Sequence, residues 1–94
     1  MSDFILFGEK KIRRILYEGE WFFSVVDVVG VLTESSNSRD YWYRLKVREK
    51  ESSNVELSTK CRQLKLKSSD GKEYLTDCAN IDSNLNFVRG LKKR

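Results

Sequence analysis

The chain has 94 residues, 39% of them hydrophobic and 12% aromatic, and its 18 Lys and Arg against 14 Asp and Glu leave a net charge of +4. That length suits one domain with one modest core, and the composition is too apolar for a disordered segment. No apolar run approaches the roughly 18 residues of a membrane span, and the opening Met1–Glu9 lacks the basic start and small-residue cleavage site of a signal peptide. The expectation is a single cytoplasmic domain, without membrane association, over residues 1–94.

Phe4–Phe7 and Ile12–Tyr17 read as two short strands around a Gly8–Lys11 turn, because Ile, Leu, Phe and Tyr favour a pleated, half-buried surface. Glu18-Gly19-Glu20 is a second tight turn, leading into a third strand at Trp21–Phe23. Ser24–Leu32 reads as a helix. Ser24 suits the N-cap, Asp27 stands three residues on, and Val25, Val28, Val29 and Leu32 make a continuous apolar face. Val26 and Val31 widen that face, so this helix is expected to be core and not site. After a polar loop at Thr33–Ser36, Asn37 is expected to cap a second helix, with Asp40 at its third position and no breaker before Ser52-Ser53-Asn54. Two helices joined this way have the outline of a helix-turn-helix, but the spacing is common in small domains.

Ser52–Lys60 is a polar connection without periodicity. Gln63–Lys67 alternates, Ser68–Gly71 turns and Lys72–Thr76 returns, which predicts a hairpin with Leu64 and Leu66 inward and Lys65 and Lys67 outward. Thr76 or Asp77 is expected to cap a last helix bearing Ile81, Leu85, Val88 and Leu91, weakened by Asn84, Asn86 and Gly90. Together these elements predict an α+β domain: a small antiparallel sheet, built from the N-terminal strands and the C-terminal β-hairpin, with two to three packed helices.

Histidine, the commonest general base and metal ligand, is absent. Cys61 and Cys78 match no zinc spacing and are expected to be unbridged thiols at strand ends. Glu9-Lys10-Lys11 matches half of a metal-dependent nuclease motif, but the only earlier carboxylate, Asp3, is too close to complete it. No enzyme, cofactor or metal is expected. Charge distribution says more. Arg39–Lys67 holds nine basic residues against four acidic ones, a balance of +5, and the rest of the chain is close to neutral. On a 3.6-residue period Tyr41, Trp42 and Leu45 share one face of the second helix, and Arg39, Tyr43, Lys46 and Lys50 share another. The first face is expected to anchor the helix. The second can neutralise phosphates, with Tyr43 placed to hydrogen-bond a phosphate or stack on a base.

Three segments give the chain a resemblance to a known family. Ile12–Val29 is similar to an opening strand, hairpin and Ser-x-x-Asp helix start; Tyr41-Trp42 followed by Arg44-Leu45-Lys46 is similar to an aromatic-basic helix; Cys61–Leu66 through Asp70-Gly71-Lys72 to Thr76-Asp77 is similar to a hairpin. In order and spacing they resemble the Bro-N domain of phage antirepressors and of BRO proteins of insect viruses. The resemblance implies an α+β DNA-binding domain of phage or prophage origin that interferes with repressor-controlled transcription, often fused to an effector region. The chain departs from the family after Asp77: Asn80, Asn84 and Asn86 interrupt the pattern, and there is no proline where the family carries a Ser-Pro segment. The combined reading is a domain that binds double-stranded DNA through Arg39, Tyr43, Lys46 and Lys50, with Arg44, Arg62, Lys65 and Lys67 in support. The alternative is a protein-interaction module that captures a repressor without touching DNA.

Overall fold

The structure, a computed structural model, describes residues 2–33, 36–53 and 61–84. Strands β1 (Ser2–Phe7), β2 (Lys10–Tyr17) and β3 (Glu20–Ser24) precede helices α1 (Val25–Thr33) and α2 (Ser38–Ser53), and strands β4 (Arg62–Lys67) and β5 (Glu73–Ala79) follow. The strands form one sheet in the order β1-β2-β3-β5-β4, antiparallel at every step. The expected α+β architecture is the one observed. In a flat sheet β2 and β4 would lie about 14 Å apart. Their Cα atoms instead come within 8 Å, so the sheet is curled.

Local chemistry accounts for most element boundaries. The β2–β3 turn places Glu18 at φ 50° and Gly19 at φ 79°, and these two positive values are the mark of a two-residue hairpin turn whose twist suits the flanking strands. Gly19 takes that conformation at no steric cost, whereas Glu18 is strained there. In the β4–β5 hairpin the Gly71 N–H donates to the Ser68 carbonyl (3.0 Å) and the Ser68 N–H to the Lys72 carbonyl (2.8 Å), closing a short loop around the Asp-Gly pair. Ser24 caps α1 by accepting the Asp27 N–H at 3.3 Å. Asn37 caps α2, its Oδ1 accepting the Asp40 N–H at 3.2 Å.

The core joins both helices to the centre of the sheet. Val25 and Val29 from α1, Trp42 and Leu45 from α2 and Ala79 from β5 form one buried cluster, with Val26, Tyr41 and Cys61 packed against it. Trp42 and Leu45 therefore anchor α2 as their spacing predicts. Leu32 does not follow expectation and remains 47% exposed. The α1 residues in the cluster lie at its first two turns, and Leu32 falls beyond them. Gly30 packs against Ser38 at the start of α2. A Cβ built there would sit 3.3 Å from the Ser38 Cβ, so a larger residue would push α2 outward.

Two expectations about the C-terminal part need correction. β5 does not end at Thr76, and neither Thr76 nor Asp77 caps a helix. The strand continues because the hairpin with β4 carries on through Asp77, opposite Gln63, and Cys78, opposite Arg62, and because Cys78 and Ala79 also pair with Ser24 and Phe23 of β3, more than fifty residues earlier. The cap is Asn80, whose Oδ1 accepts the Ser83 N–H at 2.9 Å, and residues 81–84 are helical. Asn84 does not weaken this turn: it is buried, and its amide donates to the Ala79 carbonyl at 2.9 Å. The expected helical positions Leu85, Val88 and Leu91, with Asn86 and Gly90, lie outside the described residues, as does the connection 54–60.

Arg13 holds the curl. β3 leaves the sheet for α1 opposite this residue, since β2–β3 pairing stops at Arg14↔Phe23. The Arg13 N–H is taken by the Asp27 carboxylate at 2.9 Å, and the same carboxylate accepts Nε at 2.8 Å and Nη2 at 3.1 Å. Nη1 reaches the Lys67 carbonyl of β4 at 3.4 Å. One side chain thus ties β2, α1 and β4 together, and the forked geometry makes the pair stronger than a single contact. Arg13→Ala is expected to destabilise the fold by about 2 to 4 kcal/mol in urea melts, because a half-buried Asp27 loses its cation. Glu18→Asn should raise stability by about 0.5 to 1 kcal/mol, since Asn tolerates positive φ, and a rise in thermal midpoint would report it.

Candidate nucleic-acid interface

The candidate surface is built on α2, and α2 is held in place by Asp77 of β5. The Asp77 Oδ2 accepts Trp42 Nε1 at 2.8 Å and Lys46 Nζ at 3.1 Å, and Oδ1 accepts Gln63 Nε2 at 2.8 Å. Burial pushes the Asp77 carboxyl up, but the hydrogen bonds from Trp42, Gln63 and Lys46, with the Lys46 charge, outweigh it and hold the pKa below the usual carboxylate value. Trp42 is thus both a core residue and a donor to a partly buried carboxylate. The helix cannot slide or rotate without breaking that contact.

With α2 fixed, Arg39, Tyr43 and Lys46 line a groove of about 470 Å³ whose opposite wall is the β4–β5 hairpin, including Tyr74, Leu75 and Asp70. Tyr74 is immobilised: its hydroxyl donates to Asp70 at 2.6 Å, and Asp70 also accepts the Lys72 N–H at 2.9 Å. These bonds lower the Asp70 pKa, and the carboxylate raises that of the Tyr74 hydroxyl. A second groove, of about 760 Å³, shares Arg39 and Arg13 with the first and adds Lys11 and Lys67. Arg39 is therefore the point where the basic surfaces of helix and hairpin meet. Asp70 at the groove wall is the one carboxylate there not paired to a cation, since Asp77 is paired with Lys46 and Asp27 with Arg13 among the described residues.

The other expected site residues are dispersed. Arg44 lies on a separate flank in a groove of about 240 Å³, ion-paired with Asp40 at 2.9 Å. The Arg62 guanidinium stacks over the Tyr17 ring, 5.1 Å from its centroid. Lys50 and Lys65 are exposed and line neither main groove. Lys46 departs most from expectation. It lines the groove, but its ammonium is committed to Asp77 and lies 5.4 Å from the Trp42 ring centroid, so it holds the helix as well as facing the groove. Sequence reasoning missed Arg13, Lys11 and Tyr74 as parts of this surface. The paired Arg13-Arg14 in an otherwise apolar strand was a usable signal; the position of Tyr74 across from α2 had none.

Burial pushes the Cys61 thiol up to about 12 and the Cys78 thiol up to about 11, so both stay protonated at neutral pH. Glu9 occupies the β1–β2 turn, and Asp3 accepts a hydrogen bond from Arg14 Nε at 2.6 Å. Among the described residues no group of three or more His, Cys, Asp or Glu side chains is placed to hold a metal ion, and no helix is long and apolar enough to cross a membrane.

Asp77→Ala is expected to cost about 2 to 4 kcal/mol in denaturant melts at neutral pH, because Trp42 Nε1 and Lys46 lose a charged acceptor. A carboxylate whose pKa is lowered by folding stabilises the native state above its unfolded pKa. That contribution is lost as pH falls through the ordinary carboxylate range and below it. Melts from pH 7 down to about pH 3 should therefore show an acid-side loss of stability that is smaller in Asp77→Ala than in the native chain. No protein-family model, curated protein or solved structure matches the chain.

Proposed function

We propose that the chain is a DNA-binding domain of the Bro-N type, part of an antirepressor-like protein of phage or prophage origin. In this reading it engages double-stranded DNA chiefly through phosphates and acts in transcriptional control in the cytoplasm. The observation that carries the reading is the junction at Arg39, where the α2 groove and the Lys67 groove share a cation. Arg39, Lys65 and Lys67 make no ion pair among the described residues, so their charge is available to an external anion. Surface cations contribute little to stability even when paired, about 0 to 1 kcal/mol, so the unpaired Arg39 and Lys67, which line one groove, are better explained by an anionic partner than by the fold. In this reading the chain acts by binding.

A second reading has its own support. Tyr43, Tyr74 and Leu75 remain 63%, 46% and 61% exposed along one groove, a surface that also suits an apolar segment of a repressor protein. The two readings differ in salt dependence. If about five phosphates are neutralised, log affinity for duplex DNA should fall with log salt at a slope of about −4 to −5, measurable by fluorescence anisotropy. Arg39→Glu combined with Lys67→Glu should flatten that slope by about 2 and weaken binding at least tenfold, with an unchanged melt. Lys46 is unsuitable for this test because its substitution would also loosen α2. Absence of DNA binding at low salt would overturn the DNA reading. Salt-insensitive binding of a repressor protein would establish the second.

A further inference from the structure

The two edges of the sheet differ in the side chains they expose, although Asp3 and Phe4 of β1 also line the Lys67 groove. β4, at one edge, carries Arg62, Lys65 and Lys67, all exposed. Charged side chains of one sign keep such an edge from pairing with a copy of itself. β1, at the other edge, has no such guard. Its sequence is Ser-Asp-Phe-Ile-Leu-Phe, and its one charge, Asp3, is neutralised by an exposed ion pair with Arg14 of β2 at 2.6 Å. Phe4, Leu6 and Phe7 remain 47%, 63% and 62% exposed. Among the described residues no strand covers the outer side of β1.

We infer that β1 is a homodimerisation edge, pairing antiparallel with β1 of a second copy to join two five-stranded sheets into one. A second copy is the occupant that this strand fits by symmetry. Side chains alternate between faces along a strand, so a two-fold axis perpendicular to the sheet must pass where a residue faces its own copy. With Ile5 on the axis, Phe4 lies opposite Leu6 of the partner subunit on one face, and on the other Ile5 meets its own copy, with Asp3 opposite Phe7 of the partner subunit at each end of the seam. The two Asp3 side chains are then about 14 Å apart, beyond the Debye length of about 8 Å at physiological salt. The same construction at β4 would bring six cations into one seam. Each exposed β1 side chain offers roughly 100 to 150 Å², so with the strand backbone the pair buries roughly 1,000 Å², the low end for a specific interface. The dimer is therefore weak, with a dissociation constant on the order of 10 to 100 μM.

Sedimentation velocity on the full chain, from about 1 μM to about 500 μM, should show a monomer passing to a dimer. Leu6→Lys, at an exposed position, should weaken dimerisation at least tenfold while leaving the melt at low micromolar concentration unchanged. Hydrogen exchange supplies a readout without substitution: amides within residues 3–7 should gain protection as concentration rises. A monomer at every concentration, as would follow if another segment of the chain covered β1, overturns the proposal. So does a dimer insensitive to Leu6→Lys, or one that forms without added protection in β1.

Discussion

Asp77 is the constraint on which the functional surface depends. A carboxylate on a central strand, 11% exposed at the side chain, is costly unless its charge is met. Here Trp42, Lys46 and Gln63 meet it from two elements. The arrangement converts an electrostatic requirement into a positional one. α2 must present residues 42 and 46, one helical turn apart, to the same carboxylate, and that choice sends Arg39 and Tyr43 toward the hairpin. Had the carboxylate been an apolar residue, the helix would still be buried through Trp42 and Leu45, but its rotation would be less sharply defined.

Arg13 plays the corresponding part for the sheet. A strand that leaves a sheet to become a helix abandons the N–H groups of its neighbour, and a buried, unpaired N–H is destabilising. Asp27, placed by the first turn of α1, takes up both that N–H and the guanidinium behind it. Because the guanidinium also reaches β4, the sheet is drawn into a curl, and Lys67 is brought into the same groove as Arg39. The merging of helix and hairpin charge is thus a consequence of sheet curvature and not of sequence proximity.

Charges in this protein divide by partner. Arg13, Arg14 and Lys46 are paired with Asp27, Asp3 and Asp77 and hold elements together. Arg39, Lys65 and Lys67 carry no such ion pair among the described residues and project where an anion can approach. The net positive charge therefore understates the separation of roles, because equal charges serve the fold in one place and the surface in another. Lys65 and Lys67, exposed on β4, also keep that edge from pairing with a copy of itself, whereas β1 carries only Asp3, which is paired with Arg14.

Local sequence chemistry determined a good deal by itself: the α+β class, the three N-terminal strands, both N-caps, the amphipathic division of α2 and the Asp-Gly hairpin. Each of these rests on interactions within a few residues, where spacing and residue type are sufficient. The candidate cations were also legible, because a run of basic residues survives any fold. What tertiary structure alone decided is which of them act together. Asp77 looked like a helix cap and is a strand residue, because it pairs with Gln63 across the hairpin and the strand is held beyond it by β3, more than fifty residues away. Lys46 looked outward and is tied down, because its partner lies across the fold. Asn84 looked like a helix breaker and closes the end of β5. Arg39 proved to be the junction of two grooves only because Arg13 curls the sheet. Pairings between residues far apart in the chain leave no periodic trace, so they can be found only where the chain has folded back upon itself.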